Sequence, residues 1–155
     1  MLPGNAATVK RATEMPCRRP AGCYIVTQSR DNVEDRRKEI AMADLKIADS
    51  GSVEPRDVKV DGAEHVTIRW LISKKDGAPR FQMRLFEVGP GGRTPFHAHD
   101  WEHEVYILSG EGKIIFEKEE KPFSEGFFIF VPEGREHSFV NTGDGPMRFL
   151  CMVPA

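Results

Sequence analysis

From Asp57 onward the sequence is punctuated by turn-forming clusters, and nothing after Met42 reads as a helix of ordinary length. The clusters are Lys75-Asp76-Gly77, Gly89-Pro90-Gly91-Gly92, Ser109-Gly110-Glu111-Gly112, Pro132-Glu133-Gly134 and Thr142-Gly143-Asp144-Gly145-Pro146. Between them lie short runs rich in Val, Ile and Phe, the residues that suit a half-buried pleated surface. These runs predict strands at His65–Ser73, Phe81–Val88, Thr94–His97, His103–Ser109, Gly112–Glu117, Phe127–Val131, His137–Asn141 and Met147–Val153. Many short strands with Gly and Pro turns define an all-β sandwich or barrel. The runs Val105–Leu108, Ile114–Phe116 and Phe127–Val131 are expected to line or wrap it, with their aromatic residues in the core.

The chain has 155 residues, enough for one domain with a real core. Its first part reads differently. Positions 1–41 hold eight Lys or Arg against five Asp or Glu, leaving fourteen against nineteen for the rest. They also carry Pro3, Pro16 and Pro20 and few large apolar residues, so burial there cannot offset ordering entropy. Residues 1–55 are therefore expected to form a disordered or partly helical N-terminal extension, and 56–155 the β-domain. The helical part would run from Asn32 to about Ala43, with Asn32 as its cap and Val33 and Ile40 on one face. Met42 as the true start, or an Arg-rich targeting peptide, are alternative readings of the same stretch.

Composition narrows the function classes. A net charge of −2 supplies no general attraction to nucleic acid or an anionic membrane. No segment approaches bilayer-spanning length, and the apolar run Tyr24-Ile25-Val26 is too short for a secretory core. Three cysteines, an odd number, suit a reducing compartment, so a cytoplasmic location is expected. Cys151 lies in Phe149-Leu150-Cys151-Met152-Val153 and reads as a small buried hydrophobe. Cys17 and Cys23 read as uninvolved in metal binding.

Chemistry concentrates in the histidines. Four of five, His97, His99, His103 and His137, fall on two glycine-punctuated segments that could form the halves of one metal site. His97 and His99, two apart on a predicted strand, would point to one side. Imidazole suits zinc, copper, iron and nickel. His65 lies outside both segments and reads as structural or exposed.

The two segments resemble the motifs of the cupins, double-stranded β-helix or jelly-roll barrels. The second cupin motif, G(X)5PXG(X)2H(X)3N, is met at every fixed position by Gly126, Pro132, Gly134, His137 and Asn141. A chance match of five such residues is on the order of one in a million. The first motif, G(X)5HXH(X)3,4E(X)6G, is met at Gly91, His97, His99 and Gly110. Its glutamate position is occupied by His103, since Glu104 leaves one residue too few before Gly110. The resemblance thus implies a four-histidine site of His97, His99, His103 and His137. Glu102 and Glu104 flank it as exposed or supporting carboxylates, and Glu104 replaces His103 as ligand if that ring points outward. The fifteen residues between Gly110 and Gly126 imply a short hairpin.

The resemblance is closest to small single-domain, oxalate-decarboxylase-like cupins of the cupin_2 type, which carry Trp-Glu-His-Glu where this chain has Trp101-Glu102-His103-Glu104. It covers residues from about 57 onward. It implies a divalent transition metal, manganese first and iron, zinc or nickel otherwise, together with a homodimer. The ligand implied is a small molecule, a carboxylate of the oxalate type among the candidates. Two open positions on an octahedral ion could support decarboxylation or dioxygenase-like cleavage. The alternative is a non-catalytic cupin that binds or senses a small ligand or sugar. Arg69, Arg84, Arg93 and Glu104 are the candidate polar groups near the mouth, and no lid carboxylate is evident. Gly91-Gly92 would turn the chain into the first metal strand, and Gly134 needs a positive φ.

Overall fold

The computed structural model describes residues 44–155, and the predicted Asn32 helix, Met42, Cys17 and Cys23 lie outside them. Nine strands and two 3-10 turns make up the described part: β1 (Arg56–Asp57), β2 (Glu64–Ile72), β3 (Phe81–Arg93), β4 (His103–Ser109), β5 (Glu111–Phe116), β6 (Glu119–Ser124), β7 (Phe128–Val131), β8 (His137–Asn141) and β9 (Met147–Pro154). All pair antiparallel, in the order β6-β5-β8-β3-β9-β4-β7, with β2 also on β3 and β1 on β2. This is an all-β cupin barrel, the fold class that the strand pattern and motifs imply.

Strand β3 makes the sheet curl. Its first eight residues, Phe81–Val88, pair along β9, whereas its last, Arg93, pairs with Val140 of β8. Between them, Gly89-Pro90-Gly91-Gly92 bulges against β2: Val66 pairs with Val88, but Glu64 pairs with Arg93. A bulge of this kind bends and twists the strand. The predicted turn is therefore a bend within a longer strand. Gly92 is required at its tightest point, since a Cβ there would lie 2.6 Å from the Glu64 carbonyl oxygen.

The curl brings β8 and β9, on either side of β3, to face each other across the core. Phe139 of β8 packs on Phe149 of β9 at 5.0 Å, and Phe149 stacks on Phe86 of β3 at 5.1 Å. Val88, Val105, Ile107, Ile114, Phe123, Val131 and Met147 complete the core around them. Strand alternation sorts the rest. On β4, His103, Val105 and Ile107 are buried, and Tyr106 and Leu108 are exposed.

Three expectations need correction. Thr94–His97 is not a strand: residues 94–102 are irregular apart from one bridge between His97 and His137. Strands β1 and β6 were not predicted, although β6 does close the expected hairpin with β5. The aromatic residues of Phe127–Val131 are not core. Phe127, Phe128 and Phe130 are 51, 83 and 63% exposed, and Val131 carries the burial instead.

Candidate metal centre

Four backbone hydrogen bonds stitch the two histidine segments together. Thr94 N–H donates to Phe139 O at 2.9 Å, and Gly134 N–H donates to His99 O at 2.7 Å. Between these, His97 and His137 exchange a reciprocal pair at 3.2 and 3.0 Å. The Ser138 hydroxyl donates to Thr94 O at 2.6 Å, and Thr94 Oγ1 accepts from Phe139 N–H at 2.9 Å, both buried. Gly134 turns with φ +70°, as the motif requires, and so aims its N–H at His99. The convergence of His97 and His99 therefore comes from pairing with the second segment, rather than from the alternation of a regular strand.

The imidazoles form two triangles sharing the His99–His137 edge. Ring centroids lie 5.2 Å apart for His97–His99, 5.1 Å for His97–His137 and 5.1 Å for His99–His137. His103 completes the second triangle at 4.5 Å from His99 and 5.0 Å from His137. One ring nitrogen from each of His97, His99 and His137 can be chosen so that all lie within 4.8 Å of one another. His103 Nε2 is 2.7 Å from His99 Nε2. Glu104 points to the opposite face of β4, beside Ile72, Phe81, Met83 and Met152.

Protonation follows from the surroundings. His97 Nδ1 lies 2.9 Å from Pro95 O and His137 Nδ1 lies 2.9 Å from Arg135 O. Carbonyls only accept, so each Nδ1 carries the proton and each Nε2 keeps a free lone pair. Burial lowers the pKa of His99 and of His137, and neighbouring imidazoles add to the effect. His103, only 6% exposed, is pushed down to about 2 by burial first and then by the Arg84 charge. His99, His103 and His137 are thus biased toward the neutral form, the one in which imidazole ligates a metal. Two nitrogens each ~2.1 Å from one ion at right angles would be ~3.0 Å apart. The His99–His103 spacing fits that arrangement with a small relaxation.

The supporting shell is unusual. Arg84 Nη2 lies 3.0 Å from Cys151 Sγ and 3.4 Å from His103 Nδ1, while Cys151 Sγ lies 3.3 Å from the same nitrogen. Arginine only donates, so sulfur is the acceptor open to a proton on His103 Nδ1. Cys151 is buried, as expected, but it also touches the site. The sequence offered no signal for this, because it depends on the register that pairs Arg84 with Cys151. Of the other candidate polar groups, Arg69 approaches Glu87 and Val53 O, and Arg93 pairs with Glu64. His65 is exposed. Asn141 earns its motif position differently: its buried side-chain amide donates to Val88 O and Gly145 O, each at 2.8 Å, closing the turn after β8.

Comparison with known proteins agrees with this architecture. Residues 84–153 match the Cupin_2 family, described as a cupin domain. The chain is 33% identical over 96 residues to an oxalate-binding protein of Thermotoga maritima, covering 59% of this chain and 78% of that one. It is 34% identical over 74 residues to 1-methylthio-D-xylulose 5-phosphate methylsulfurylase of Rhodospirillum rubrum, covering 48% of this chain but only 47% of that one. Among solved structures, the polyketide cyclase RemF of Streptomyces resistomycificus superimposes with a TM-score of 0.68 at 37% identity, covering 72% of this chain and 80% of that one. The motifs, the curled sheet and these likenesses define a barrel of the cupin class. The chain belongs to the cupin family.

Proposed function

We propose that His97, His99, His103 and His137 hold one divalent transition ion, manganese first and iron, zinc or nickel otherwise. The protein would then act on a small carboxylate by decarboxylation or dioxygenase-like cleavage. The observation that carries this reading is the carbonyl anchoring of His97 and His137 through Nδ1, which leaves their Nε2 lone pairs free beside two further imidazoles held neutral. Such an ion would supply Lewis-acid polarisation of a bound carboxylate. The chain's own part is to orient the ligand and exclude water. Elemental analysis of the purified protein should find close to one equivalent of transition ion, and chelation should abolish any turnover. Protein that purifies and turns over without such an ion sinks the reading.

Non-catalytic binding of a small ligand is the second reading, and the cavity beside the histidines favours it in one respect. Decarboxylation needs an acid to protonate the carbon that loses carbon dioxide. The carboxylates lining the cavity are those of Asp57 and Asp61, both on exposed residues. Ligand-dependent thermal stabilisation without turnover would select this reading.

A cytoplasmic homodimer is part of the same proposal. No helix among the described residues is long and apolar enough to cross a membrane. Support for pairing comes from one rung across the outer face, Phe130–Glu104–Met152–Met83–Ile72, largely apolar and ending at edge strand β7. Exposed apolar faces of this kind mark association surfaces.

A further inference from the structure

Three of the histidines, His97, His103 and His137, also line a cavity of about 540 Å³ inside the barrel mouth. Its inner wall is mainly apolar and aromatic, with Ile68, Trp70, Phe86, Phe139 and Phe149 around Arg84, while the charged residues Asp57, Lys59 and Asp61 that also line it are exposed. Cavities of ~300–1,000 Å³ enclose ligands of drug size, so this one far exceeds the needs of a two-carbon dianion.

Among the described residues no carboxylate lies within ion-pair distance of Arg84, the exposed Asp57 and Asp61 of the same cavity included. Its guanidinium carbon lies 5.6 Å from the Trp70 ring centroid and 5.3 Å from that of Phe86. Its Nε is buried without a hydrogen-bond partner, and Nη2 meets only a sulfur and an imidazole. The ion pairs among the described residues engage Arg69, Arg93, Arg135 and Arg148, but none engages Arg84. Removing a cation from water without an opposite charge is strongly unfavourable, and aromatic faces compensate only part of it. A planar guanidinium fork is shaped for a carboxylate. The missing negative charge is thus one that a ligand can bring.

We propose that this cavity takes a carboxylate with a flat apolar body, an aryl or extended conjugated acid, and that Arg84 is its anion-pairing residue. The inference rests on the metal site proposed above only in placing the carboxylate beside those histidines. The ring of the ligand packs against Ile68, Trp70 and Phe139, and its carboxylate neutralises Arg84. Oxalate has the charge but leaves the apolar wall uncovered. Uncharged aromatics cover the wall but leave Arg84 unpaired.

Calorimetric titration of the full chain, chelated and manganese-loaded, with 2-naphthoate, 2-naphthalenemethanol and oxalate tests this. Trp70 offers a second readout, because the chain has two tryptophans and Trp101→Phe leaves Trp70 as the sole tryptophan, excited selectively over the tyrosines. The expected result is that chelated protein binds 2-naphthoate at least tenfold more tightly than the alcohol or oxalate, with quenching of Trp70. In the chelated protein, Arg84→Met should remove that preference, and Arg84→Lys should restore part of it. Oxalate binding as tightly as 2-naphthoate, or an Arg84→Lys protein of native stability indistinguishable from Arg84→Met, overturns the assignment. A protein that holds no metal yet binds 2-naphthoate through Arg84 overturns the metal reading alone.

Discussion

The two faces of β4 carry opposite kinds of chemistry at adjacent positions. His103 turns inward to the His99 and His137 imidazoles, Arg84 and Cys151, whereas Glu104 turns outward onto an apolar surface between Phe130 and Met152. Both are metal-binding residue types, and both fall within one position of the ligand slot. Strand parity separates them: one step along the chain moves a side chain through the sheet. The inner face is buried and polar at one end only. The outer face is apolar and open, with a carboxylate at its centre.

The sharpest break of this comparison is in metal content. His103→Ala should lower bound metal more than tenfold, and Glu104→Ala by less than twofold, read by elemental analysis after equal exposure to manganese. The reverse ranking would return Glu104 to the ligand set. Stability should divide the same way. Phe149→Ala, at a site 2% exposed in the centre of the core, should cost about 3–5 kcal/mol in urea unfolding. Phe128→Ala, 83% exposed, should cost about 0.5 kcal/mol or less in the monomer.

Oligomeric state sharpens the outer side. Phe130→Lys should dissociate the proposed dimer in sedimentation while leaving metal content intact; a chain monomeric from the outset removes that role for the outer face. The inner side should respond to pH. In metal-free protein burial favours the neutral forms of His99, His103 and His137 while folded, whereas the unfolded chain takes up protons below about pH 6.5. The unfolded state then binds more protons, so stability falls as pH drops through that value and keeps falling toward the depressed folded pKa values. The slope should reach about 1.4 kcal/mol per pH unit for each histidine involved. His103→Asn should flatten it, and a stability flat from pH 7 to 5 would contradict the neutral cluster. The smallest effect expected is at Cys151. Cys151→Ala should weaken metal retention by under tenfold, because it removes an acceptor rather than a ligand.

Much of the fold was legible because alternation and turn chemistry agreed. His103–Ser109 and His137–Asn141 have the predicted bounds, and each alternates buried with less buried residues or lies deep in the barrel. Strand β6 was not legible. Glu119-Glu120-Lys121-Pro122 has no apolar period, and only Phe123 is buried. It exists as an edge strand held by its ladder to β5 and by the Lys113–Glu120 ion pair, the setting in which Pro is tolerated. Phe127–Val131 misled in the other direction, since hydrophobicity alone does not say which side of a sheet faces water. Motif spacing named the four histidines, and the structure places their rings in one cluster. The partnership of Arg84, Cys151 and Trp70 did not, because it arises from pairings between β2, β3 and β9 that are distant in the chain.

The reciprocal hydrogen bonds between His97 and His137 also dictate when the centre can come into being. An unfolded or growing chain would offer a passing cation only His97, His99 and His103 on an unfixed backbone, since His137 emerges 40 residues after His97. High affinity must therefore await closure of the barrel. Loading becomes a late event governed by access through the mouth, and a tightly held ion would act as a latch on a long-range seam, slowing its reopening more than it hastens its formation.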